Sequence, residues 1–98
     1  MLTTLFVNHY TPEHPGRRAE IDGALRRNLD NPHIDRVVVL AQSDPGARAG
    51  LDGPKAVWVD VDCAGNPYGR PTYRDYFALV NRFTTTPSDL NIVANADI

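Results

Sequence analysis

Four pairs of polar residues stand at the ends of four short apolar runs: Asn8 and Tyr10, Gln42 and Asp44, Asp60 and Asp62, Asn95 and Asp97. The last pair closes the run Asn91-Ile92-Val93-Ala94, which reads as a buried strand. In an open α/β sheet, ligands bind at the carboxyl ends of the strands. A carboxylate such as Asp97, with a polar Asn95 two residues before it, suits a hard divalent cation holding a diphosphate. Away from such an edge, Asp97 is simply a solvated aspartate and Asn95 a turn cap.

The elements that must carry these residues are legible from periodicity. Leu2 to Val7 reads as a first strand, and Thr11-Pro12-Glu13-His14-Pro15-Gly16 as a loop on its prolines and glycine. From Arg17 the period changes. Ile21, Ala24, Leu25, Asn28 and Leu29 fall at helical spacing, predicting a helix from Arg17 to Asn31 that Pro32 ends. Gly23 inside it costs about 1 kcal/mol relative to alanine. Arg36 to Leu40 is a β-branched run, as a strand covered on both faces requires. Gln42 to Pro54 is a loop, Ala56 to Val61 a third strand, and Cys63 to Pro71 a second Gly- and Pro-rich loop. Thr72-Tyr73-Arg74-Asp75 has capping-box spacing and opens a helix with an aromatic stripe, which Thr84 to Pro87 breaks. Leu90 to Ala94 is the fourth strand.

The order β-α-β-β-α-β predicts a mostly parallel four-stranded sheet in a Rossmann-like three-layer sandwich. The 98 residues form one domain. A net charge of −2 lacks the basic excess of a nucleic-acid binder. Cys63 is the only cysteine, which points to a reducing compartment. No apolar run approaches the ~18 residues of a membrane span, and the start carries no basic leader, so the cytoplasm is the expected location. The three histidines have no metal-ligand spacing, and neither a dinucleotide fingerprint nor a P-loop occurs.

The chain resembles the N-terminal, nucleotide-sugar-binding half of GT-A-fold glycosyltransferases. The resemblance rests on Val7-Asn8-His9-Tyr10, the helix running into Asn31-Pro32-His33-Ile34-Asp35, and the strand Arg36 to Leu40. It extends through Pro71-Thr72-Tyr73-Arg74-Asp75-Tyr76-Phe77 to the closing Asn91-Ile92-Val93-Ala94-Asn95-Ala96-Asp97-Ile98. It implies a nucleoside diphosphate sugar as ligand and a metal site of DxD type, holding Mn²⁺ or Mg²⁺. Here that motif reads Asn95-Ala96-Asp97, so asparagine stands in the first acidic place. The family's acceptor site and catalytic base follow this motif. No catalytic residue is therefore assigned among these 98, and they are expected not to transfer a sugar by themselves.

On that resemblance, Asn8, Tyr10, Gln42, Asp60 and Arg74 are the expected nucleotide contacts, and Asp97 with Asn95 the metal ligands. A uracil stacked on Tyr10 gains roughly 1 kcal/mol; packing of Tyr10 on its own loop is the structural alternative. Asp60 offers an acceptor to a ribose or base, or is solvated edge charge like Asp62. Arg74 reaches a phosphate through its fork of donors, or faces solvent. Asp75 reads as a helix cap. The rival functional class is a non-catalytic Rossmann-like module that pairs with another chain. The apolar runs Val37 to Leu40 and Leu90 to Ala94 each ask for cover on both sides, which two helices of about 13 residues hardly supply. A homo-oligomer, or a missing C-terminal half, is the expected remedy.

Overall fold

The computed structural model describes residues 2–42, 48, 50–66 and 69–95. Asp44, Asp97 and Ile98 lie outside the described residues. The elements follow the expected order: β1 (Thr3–His9), α1 (Pro15–Asp30), β2 (Arg36–Ala41), β3 (Ala56–Asp60), α2 (Tyr73–Phe83) and β4 (Leu90–Ala94). The four strands make one sheet in the order β3-β2-β1-β4, and every pairing is parallel. Parallel neighbours require crossovers, and the two helices supply them on opposite faces. The result is the Rossmann-like α/β sandwich that the strand and helix pattern demands.

Alternation along the central strands sorts the core into two layers. Leu5, Val7, Val37 and Val39 meet Leu25, Leu29, Ile34 and Leu51 on the α1 face. Phe6, Val38 and Leu40 meet Tyr76 and Leu79 on the α2 face. Phe6 and Val37 through Leu40 are wholly buried, as a strand with both faces covered must be. Each such side chain contributes about 1.5–3 kcal/mol by leaving water. Helix α1 buries Ile21, Ala24, Leu25 and Leu29, the stripe set by its spacing. It starts two residues earlier than its periodicity predicts. Pro15 has a fixed φ suited to the first helical turn, and His14 Nδ1 accepts from the Gly16 amide at 3.1 Å. Among the described residues, no helix is long and apolar enough to cross a membrane.

The amino edge of the sheet is tied by charged side chains. The Thr3 amide donates to Asp35 Oδ2 at 2.7 Å, and the Leu2 amide to Asp89 Oδ1 at 3.1 Å. Asp89 Oδ2 also accepts from the amide and hydroxyl of Thr85, at 2.9 and 2.7 Å, which closes the turn into β4. Arg36 donates to the Phe83 carbonyl at 2.7 Å and lies over the Phe83 ring, ending α2 against the sheet.

Cover fails at β4. Leu90 and Ile92 align with Thr3 and Leu5 on the α1 face, yet are 51 % and 39 % exposed. Helix α1 crosses from β1 to β2 and does not extend over the opposite flank of β1. The apolar run asked for two covered faces; Val93 packs in the α2 layer, while on the α1 face Ala94 joins the core and Leu90 and Ile92 do not.

Two measurements test this fold. The Thr72–Asp75 box is closed in both directions, with Thr72 N donating to Asp75 Oδ2 at 2.8 Å and Asp75 N to Thr72 Oγ1 at 3.4 Å. Thr72→Ala should therefore destabilise by about 1 kcal/mol in a denaturant melt, and Thr72→Ser should restore most of it. The Asp89 carboxyl is held well below the usual carboxylate range, chiefly by the Thr85 hydroxyl and then by the Thr85 and Leu2 amides. A carboxyl depressed in the folded state stabilises above its unfolded value of about 3.9 and loses that contribution as pH falls toward its folded value. Urea midpoints should accordingly drop below about pH 4 in the native sequence. In Asp89→Asn the midpoint should be lower at neutral pH and the acid slope shallower; an unchanged slope would contradict the assignment.

Candidate functional site

All four strands point their carboxyl ends to one edge. The β1-α1-β2 crossover lies on one face and β3-α2-β4 on the other, so the chain leaves β1 and β3 toward opposite faces of the sheet. In doubly wound sheets, ligands lie at the carboxyl edge where such exits diverge.

Tyr10, one residue past β1, is half-buried and presents its ring to the loop that follows β3. The Arg70 guanidinium sits over that ring, 4.8 Å from its centroid. Gln42, one residue past β2, donates its amide N–H to the Gly69 carbonyl. Gly69 holds φ at 63°, a left-handed conformation that side chains strain to adopt. The Gln42 Oε1 atom is buried with no hydrogen-bond partner. A buried acceptor in that condition costs free energy, and a ligand donor would relieve it. Tyr10, Gln42, Gly69 and Arg70 thus converge over the ends of β1 and β2.

Beneath them lies a polar layer on the α2 side. Asn66 Nδ2 donates to both the Arg70 carbonyl and Asp75 Oδ2, each at 2.9 Å. The Thr72 amide, with further bonds from Thr72 and Asn66, keeps the Asp75 carboxyl below its ordinary value despite partial desolvation. Burial pushes the Cys63 thiol up, and the nearby Asp75 carboxylate adds to it. The Tyr76 phenol is pushed up to about 12, again chiefly by burial, although a backbone hydrogen bond from Asn8 opposes the shift. Cys63 and Tyr76 are therefore neutral groups at physiological pH, and this layer supports the loop above it.

A separate cluster occupies the α1 side of the same edge. His9 is 2 % exposed; its Nε2 lies 2.8 Å from Asp22 Oδ1, and its ring meets Trp58 edge-on at 5.4 Å. Arg48 stacks on Trp58 at 4.8 Å and pairs with Asp60. This chain of contacts fastens edge strand β3 to the end of β1.

The residues singled out in the sequence therefore divide. Tyr10 and Gln42 are brought together. Asn8 is 8 % exposed on the α2 face, with its backbone bonded to Tyr76. Asp60 lies across the sheet and is engaged by Arg48. Arg74 is exposed on the first turn of α2, and Asn95 is exposed one residue past the Val7–Ala94 pairing. Asp97 lies outside the described residues, among which no group of three or more histidine, cysteine or acidic side chains is gathered. Arg70 was not anticipated. The signal for it was a cation between Gly69 and Pro71, in a loop leaving a strand's carboxyl end. Comparison of the chain with protein-family models, curated proteins and solved structures gives no match.

The buried phenol provides a check on this layer. An absorbance titration should show one of the four tyrosines ionising last, near pH 12, and Tyr76→Phe should remove that step. Because the folded value lies above the unfolded value of about 10, the native protein should lose stability as pH rises from about 10 toward about 12. Tyr76→Phe should lose less over that window; identical curves would mean that the phenol is solvated.

Proposed function

We propose that the carboxyl edge of the sheet binds a nucleoside diphosphate sugar, in the manner of the sugar-nucleotide half of a GT-A glycosyltransferase. The observation that carries this reading is the convergence of Tyr10, Gln42 and Arg70 above the ends of β1 and β2. An aromatic face, an unsatisfied amide acceptor and a cation are the groups that a base and a diphosphate require. Arg74, exposed on the first turn of α2, is the other cation on this side without an ion pair among the described residues.

Asn95 and Asp97 offer amide and carboxylate oxygens, hard donors that fit Mn²⁺ or Mg²⁺ better than a softer metal. A divalent cation there would neutralise charge on the departing nucleoside diphosphate. The chain's own residues bind and orient: Tyr10 stacks, Gln42 meets the nucleoside edge, and Arg74 attracts phosphate. Asp60, engaged by Arg48, sits at the margin of the nucleoside site.

Calorimetric titration with UDP and GDP, with and without Mn²⁺, tests the reading. Binding of micromolar strength or weaker is expected, roughly −8 kcal/mol or less in magnitude. Asp97→Ala should abolish the metal-dependent increment and leave metal-free binding intact. Absence of heat with either nucleotide at ~1 mM protein, where even a millimolar complex of roughly −4 kcal/mol registers, would remove the proposal.

The partly uncovered α1-side face of β4 favours a second reading, a module that pairs with a second copy of itself. Leu2, Leu90 and Ile92 are exposed beside a strand edge that carries no charge or proline. Sedimentation at ~10–100 µM should then show dimers that Ile92→Lys dissolves, since an edge lysine blocks strand pairing. A clean monomer in the native sequence would exclude this reading.

A further inference from the structure

Arg70 stands where the proposed ligand's base would stand. Its guanidinium is planar, carries a full charge and lies over the Tyr10 ring at 4.8 Å. A nucleobase stacking on that face of the ring would compete with it. The two cannot occupy it together.

The backbone around Arg70 is held while its side chain is not. The Gly69 carbonyl accepts from Gln42, the Arg70 carbonyl accepts from Asn66 at 2.9 Å, and Pro71 follows. Arg70 itself is exposed and forms no ion pair among the described residues; its guanidinium lies over the tyrosine ring. An exposed cation–π contact is weak, and a stacked base is a stronger partner for the ring. A displaced guanidinium remains anchored at the crevice rim, beside the position a diphosphate must take, and pairs with phosphate by two parallel hydrogen bonds.

We propose that Arg70 is an exchangeable occupant of the nucleotide site. Without ligand it stacks on Tyr10. When a nucleoside diphosphate enters, the base takes the ring and the guanidinium turns onto the phosphates. This rests on the nucleotide-binding reading above and adds a specificity device to it: Arg70 opposes a bare nucleoside and favours its diphosphate.

The device makes the two affinities move in opposite directions on one substitution. In Arg70→Ala, uridine or guanosine should bind about two- to fivefold more tightly, the value of the lost competing contact. UDP or GDP should bind about tenfold more weakly, because a charge-assisted pair with phosphate is gone. Arg70→Lys should recover part of the diphosphate affinity. Arg74→Ala, which competes for no ring, should weaken the diphosphate without improving the nucleoside. Independently of affinity, the Arg70 side-chain proton resonances should be shifted upfield by the Tyr10 ring in the free protein, lose that shift in Tyr10→Leu, and lose it again at saturation with UDP or GDP. Equal weakening of nucleoside and diphosphate in Arg70→Ala, or a ring-current shift that persists at saturation, would overturn the exchange while leaving nucleotide binding in place. A native protein that binds neither nucleotide would overturn both.

Discussion

Parallel pairing on both sides of β1 is the constraint from which the other features follow. A strand flanked in parallel by β2 and β4 cannot be joined to either by a tight turn, so each connection must leave the sheet, cross it and return. The β1–β2 and β3–β4 crossovers carry the two helices, one on each face, and the hydrophobic runs of β1 and β2 are buried from both directions. The same rule sends every strand's exit loop to one edge. Polar residues scattered through the sequence at positions 10, 42 and 70 therefore become neighbours. The topology gathers them there whatever their separation in sequence.

The two edges are built from different kinds of contact. At the amino edge, Asp35, Asp89 and Arg36 hold backbone groups through charge-assisted bonds, and Asp89 alone receives donors from Thr85 and Leu2. Such bonds are costly to break and have no free valence for a ligand. At the carboxyl edge the contacts above the sheet are weaker and replaceable: a guanidinium on a ring, one amide bond to a carbonyl, an acceptor left empty. Below them, the bonded Thr72–Asp75–Asn66 layer fixes the loop's base. Rigid support under an exchangeable surface is the arrangement that binding sites on loops require.

The sequence was most legible where one short-range rule decides the outcome. Period 3.6 found the buried stripe of α1, and Thr72-x-x-Asp75 found the start of α2, because both depend on residues within a turn of one another. Pro15 reads as loop yet opens α1 for a related reason: proline breaks helices in their interior but begins them at the first turn. At the carboxyl edge, the pairing of Tyr10 with Gln42 followed from parallel register. Asn8 and Asp60 were harder. Side chains alternate across a sheet, so Asn8 and Tyr10, two apart, diverge once Tyr10 leaves the strand, and Asp60 follows Trp58 onto the α1 face. Arg70 is legible only as a cation in a loop that leaves a strand's carboxyl end, since no local pattern says how an irregular loop folds back across two strands.

The partial cover of β4 bears on both functional readings, because the strand's two ends make different demands. Its apolar exposure lies toward the start and middle, at Leu90 and Ile92, on the α1 face. Its polar end, Asn95, reaches the carboxyl edge one residue past the last pair with β1. Along a strand rising about 3.3 Å per residue, Leu90 and Asn95 are separated by roughly 16 Å, more than the span of a nucleobase. A neighbour covering Leu90 and Ile92 would leave the crevice above Tyr10 open. It would also fix the outer flank of β4, and with it the strand end from which Asn95 projects. Association along β4 and nucleotide binding at the carboxyl edge are thus compatible. Covering the flank would reduce the fraying expected of a half-covered edge strand, so that the first supports the second.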